Sequence, residues 1–235
     1  MALLRHLRSL STLPNNPNIF HFPSSTPNTH TLSLLPTNPP TPSLAIGTTT
    51  QIPPTPQSLT ENPTFMGILL SVLANHATYD PMIQSQALAL ASSGGATLGS
   101  GGQFFPSNHP SQASQTAHNK RQRPPRQYGG GGGTGGDGAG GASAQGGAGG
   151  GGVGGWIHVS DLRNPPDYGR IAWPEDIFGS LEVDGQGAFV GGDGGFQGSG
   201  TYRICTREGI LGLSPYLMER LKERLAELEK KEKSR

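Results

Sequence analysis

Cysteine is almost absent: Cys205 is the only one in 235 residues. One thiol excludes an internal disulfide and any zinc or iron–sulfur site built from several cysteines; the expected role of Cys205 is a small buried apolar residue in a strand. Charge is also scarce. Charged residues make up 14% of the chain and the net charge is +1, so no global field steers the molecule towards nucleic acid or a membrane. Acidic residues are missing altogether before Glu61. No apolar run reaches the ~20 residues that a membrane-spanning helix needs; the strongest, over 65–74, is far shorter. Catalytic and ligand signatures are missing as well. His6, His21, His30, His76, His109, His118 and His158 are scattered, and no H-x-x-x-H, C-x-x-C or G-x-S-x-G spacing occurs. The expectation is a protein without enzymatic activity, metal or cofactor.

What is plentiful is glycine and proline, 37 and 21 residues, about a quarter of the chain and near the level of low-complexity sequence. The chain starts differently. Residues 1–12 (MALLRHLRSLST) repeat leucine at helical spacing, carry Arg5 and Arg8, and lack acid. This is the pattern of an organelle transit peptide, most like a mitochondrial one, expected over 1–14. Residues 15–63 are rich in Pro, Thr, Ser and Asn without apolar periodicity, and read as disordered. Residues 64–92 read as a short helix pair, the second helix started by Asp80 as N-cap with Pro81 at its first position. The pair needs either the C-terminal part or a partner to cover it.

Residues 93–155 read as a disordered linker. Lys120, Arg121, Arg123 and Arg126, followed by Tyr128, suit contact with a phosphate backbone or a nuclear import signal, against the plain reading of a solvated basic linker. Glycine then fills 18 of the 27 positions from 129 to 155. That composition describes a tether spanning roughly 30 Å, which would uncouple the C-terminal region from the front of the chain.

The folded candidate is 156–235, with both tryptophans and 13 of the 16 acidic residues. A hairpin is expected from Leu181 and Val183 through Asp184-Gly185 to 188–190, another strand over 201–206, and a short one near 210–213. Asp184-Gly185 and Asp193-Gly194 are turn residues, since the further ligands of a calcium loop are missing. Glu175-Asp176 reads as the start of a short helical turn. Ser214-Pro215 opens a helix whose Leu217, Leu221, Leu225 and Leu228 form one stripe, with Glu227–Lys231 and Glu229–Lys233 at i,i+4. The fold class is therefore a mostly disordered chain ending in a small α+β unit. That unit is a three- or four-stranded antiparallel meander with one long C-terminal helix.

The blocks WIHVSDLRNPPDYGRIAWPEDIFGSLEVDG and SGTYRICTREGILGLSPYLMERL, preceded by a glycine-rich tract, resemble the plant mitochondrial family called gamete cell defective. The resemblance implies a non-enzymatic mitochondrial protein needed for gamete and embryo development and for mitochondrial integrity. It carries over no site residues. The leading expectation is an interaction protein docked on a larger mitochondrial assembly. Two others stand beside it: an RNA-binding accessory factor using the 120–128 cluster, and a nuclear or cytosolic developmental regulator.

Overall fold

A computed structural model describes residues 11–24, 26–91, 154–166 and 170–234. The segment expected to be disordered, 15–63, instead builds a sheet. Strands β1 (Ser11–Leu13), β2 (Asn16–Pro23), β3 (His30–Ser33), β4 (Gly47–Thr49) and β5 (Leu59–Glu61) run as an antiparallel meander in sequence order. Low charge makes this possible, because little needs to stay in water. The few apolar residues are spent almost entirely on the core: Leu13, Ile19, Leu32, Leu34, Leu44, Ile46 and Leu59 are all buried. The hydroxyls bond internally; Thr49 and Ser58 lie 3.0 Å apart, and Ser58 also bonds Thr55. The expected transit segment, 1–14, contains the whole of β1, whose Thr12 pairs with Phe20 and whose Leu13 is 3% exposed.

Helix α1 (Pro63–His76) follows β5 directly. Asn62 caps it by accepting from the Thr64 N–H, while its amide donates to the Ala45 carbonyl at 2.7 Å. Helix α2 (Pro81–Ala91) begins as expected, with Asp80 Oδ1 accepting from the Met82 N–H. The expected pair over 64–92 is thus present, and it does not stand apart. The whole set packs against the C-terminal elements.

Those elements are β6 (Gly155–Ser160), β7 (Ile177–Val183) and β8 (Gln197–Gly198) in one antiparallel sheet, the hairpin β9 (Cys205–Thr206) with β10 (Gly209–Ile210), and helix α3 (Pro215–Lys233). Antiparallel sheets with a long C-terminal helix agree with the sequence reading; several details differ. The return strand at 188–190 is only an isolated bridge, Val183 to Phe189. Asp184 Oδ1 turns the chain there by accepting from the N–H groups of Gln186 and Ala188. Residues 201–204 run as irregular chain, because the backbone N–H of Arg203 bonds the Glu175 carbonyl and not a strand ladder. On α3, Leu217, Leu221 and Leu225 are buried as the stripe requires. Glu229 pairs with Lys233 at 3.2 Å, whereas Glu227 turns to Arg224 at 3.1 Å.

The C-terminal part is not a separate unit on a tether. One apolar core contains Leu13, Phe65, Leu69 and Ala87 together with Ile157, Leu181, Leu211 and Leu221. Helix α1 lies on α3, and α2 lies on β6. Polar bonds also cross between the halves. Asn16 donates to the Leu211 carbonyl at 2.9 Å, Lys222 to Asn18 at 2.7 Å, and Thr37 and Thr41 to Glu229 at 3.0 and 3.1 Å. The described chain stops after α2 and resumes at β6, two elements that touch.

Candidate functional site

Two buried carboxylates and a guanidinium come together where three segments meet: 161–163 after β6, 173–176 before β7, and 199–204 before β9. Asp161 is fully buried and Asp176 is 1% exposed. Between them lies Arg163, its side chain 3% exposed. Its Nε donates to Asp176 Oδ1 at 2.8 Å, its Nη1 to the Ile204 carbonyl at 2.8 Å and its Nη2 to the Glu175 carbonyl at 2.9 Å. Asp161 Oδ1 accepts from the N–H groups of Arg163 and Gly212, and Oδ2 accepts from the Tyr202 hydroxyl at 2.8 Å. Tyr202 rests against Phe178, with ring centroids 4.3 Å apart, and under the Arg163 guanidinium.

Burial raises the Asp161 carboxyl above its ordinary range, and Arg163, Tyr202 and the Gly212 N–H pull it back only in part. Burial works against the Arg163 charge too, but Asp161, Tyr202 and Asp176 outweigh it and the guanidinium is held more firmly than usual. The Tyr202 hydroxyl is pushed well up by burial and then by Asp161. These groups spend their hydrogen-bonding capacity on one another and on backbone atoms. Chemically the arrangement is a brace: one side chain, Arg163, ties three loops into a fixed geometry.

Above the brace lies an open cleft of about 660 Å³ between the 173–175 and 200–203 loops, with Glu61 from the end of β5 on its third side. Glu61 is fixed there by accepting from the Ile204 N–H at 3.0 Å, and Thr201 by donating to the Pro174 carbonyl at 2.9 Å. Trp173 lines the cleft with 68% of its surface exposed. A large apolar side chain held in water on a rigid rim marks a contact surface better than scattered apolar exposure does.

Lys120, Arg121, Arg123, Arg126 and Tyr128 lie outside the described residues. Glu175-Asp176 does open a short helical turn, Pro174–Asp176, as expected, but the two carboxylates part company: Asp176 goes into the brace while Glu175 stays exposed. Neither Arg163 nor the cleft is visible in the sequence. Arg163's partners lie 13 and 41 residues away, and Glu61 belongs to the segment that reads as disordered, so no local spacing announces either. Cys205 is buried in β9 as expected, and burial raises its thiol. Among the described residues no group of three or more His, Cys, Asp or Glu is placed to hold a metal ion. Among the same residues, no helix is long and apolar enough to cross a membrane. No family model, curated protein or solved structure matches the chain.

Proposed function

We propose that the protein is a non-enzymatic interaction protein of mitochondria, serving gamete and embryo development and mitochondrial integrity as a docking component of a larger assembly such as the mitochondrial ribosome. The observation that carries the docking role is Trp173, exposed on loops that the Arg163 brace holds rigid. Rigid presentation of an aromatic anchor lowers the entropy lost on binding. The arginine-bearing, acid-free start and the family resemblance support the compartment and the developmental role.

The test is sedimentation of extracts from isolated mitochondria. The full chain should migrate with a large particle, and Trp173→Ala should shift it to the monomer position without lowering its melting temperature. Migration of the unaltered chain as a lone monomer at physiological salt counts against the docking role. For the compartment, a fluorescent fusion of the full chain should reach mitochondria and one lacking 1–10 should not; the cut is placed before β1 so that the fold is kept. The RNA reading rests on the four cations of 120–126 with Tyr128 beside them. It requires salt-sensitive RNA binding that falls when those four are neutralised.

A further inference from the structure

We propose that the Trp173 cleft takes a cationic side chain, arginine or lysine, from a partner polypeptide; this rests on the docking reading above and names its chemistry. Three charged side chains line the cleft, Glu61, Glu175 and Arg203. Among the described residues none of them forms an ion pair within 4.0 Å. Two carboxylates against one guanidinium leave the cleft with an excess negative charge, and an exposed indole lines the same cleft. A cation is attracted to an indole face and at the same time to carboxylates beside it. An anionic guest would meet two like charges, and an apolar guest would cover Glu61 and Glu175 without pairing them, at a desolvation cost.

Part of the geometry is already fixed. Glu61 is held by the Ile204 N–H, and the Glu175 backbone carbonyl accepts from both Arg163 and the Arg203 N–H. The backbone that carries Glu175 is thus anchored before a cation arrives. Arg203 then pairs with an acidic neighbour on the same partner, which favours a peptide of mixed charge over a free polyamine.

The full-length protein is titrated with three capped pentapeptides, alanines flanking a central Arg, Glu or Leu, and the indole N–H resonance of Trp173 is followed, assigned by its loss in Trp173→Phe. The Arg peptide should shift that resonance. Its affinity should fall by about threefold in Glu175→Gln, as expected for removing one exposed charge partner, and should fall further as salt rises from about 50 to about 500 mM. Glu175 is exposed and its carboxylate makes no hydrogen bond or ion pair among the described residues, so the variant tests recognition and not folding; an unchanged melting temperature checks this. Equal affinity for the Arg and Leu peptides, or tighter binding of the Glu peptide, overturns the cationic assignment while leaving the cleft a docking site. If no peptide moves the Trp173 resonance at millimolar concentration, the assignment and the docking role of the cleft both fall.

Discussion

At the residue scale, Arg163 is the side chain on which most depends. Replacing it with alanine leaves Asp161 and Asp176 buried without their cation, and loss of one partner of a buried pair costs about 3–5 kcal/mol. Arg163→Lys is expected to recover little of this. An ammonium cannot reach Asp176 and the carbonyls of Ile204 and Glu175 in the fixed directions that the guanidinium uses. Chemical denaturation of the three proteins measures both statements; a lysine variant as stable as the parent would show the brace to be dispensable. Gly212 is the backbone half of the same device. A Cβ there would sit 2.8 Å from the Arg163 nitrogen and 2.9 Å from Asp161 Oδ1, closer than packing tolerates.

His158 makes a residue-scale prediction about pH. Its Nδ1 bonds the Ser180 hydroxyl at 2.8 Å and its Nε2 is buried with no partner among the described residues. Burial holds the imidazole below its ordinary value of 6.5. The unfolded chain therefore takes up the proton first as pH falls through 6.5, and stability declines from there until the folded imidazole is itself protonated. His21 is lowered for the same reason, with His30 adding to it, so both contribute with one sign. The melting temperature should fall between about pH 7 and pH 5, and His158→Gln should flatten that fall. An unchanged slope in the variant would remove His158 as a cause.

At the scale of elements, the helices were legible and the first sheet was not. Helix α3 announces itself by Ser214-Pro215 and a leucine every turn, and α2 by Asp80-Pro81; both signals are local and both hold. Strand β2 carries no such signal: its buried residues are Ile19 and Phe22, three apart, and two of its eight residues are proline. Strands of three residues, such as β1, β4 and β5, are too short to show alternation. They are stable because neighbours distant in sequence cover them, and that is invisible before folding. Leu13 illustrates this. Leu13→Ala should cost about 2–4 kcal/mol although residues 1–14 read as a leader; chemical denaturation of the variant beside the parent measures it.

What the local signals also concealed is that two helix starts are joined. The Ser214 hydroxyl, which caps α3 by accepting from the Leu217 N–H, donates to Asp80 Oδ2, while Asp80 Oδ1 caps α2. Each cap thus orients the other across the chain. Asp80→Ala and Ser214→Ala should each destabilise by about 1–2 kcal/mol, and the double variant by clearly less than the sum. Additive losses would mean that the two caps act independently.

At the scale of the whole molecule, the halves on either side of 92–153 share one apolar core. The first half has Leu69, Leu73 and Ala87 fully buried, and much of what covers its helices is α3 and β6. The second half alone would expose Leu221 and Leu225 together with the apolar face of its sheet. Neither half therefore has a complete core, whereas the two together do. The glycine-rich composition at 129–155 invites the reading of a tether between modules, because composition reports only what a segment lacks. It says nothing of where its ends are held, and here the described chain on either side is anchored by α2 against β6. A protease site inserted near Gly140 tests this arrangement. After cleavage the fragments 1–140 and 141–235 should co-elute and melt in a single transition close to that of the intact chain. Dilution should lower the transition, since the two pieces now have to find each other. Separation of the fragments under native conditions, or two independent transitions, would mean that the shared core does not hold the body together.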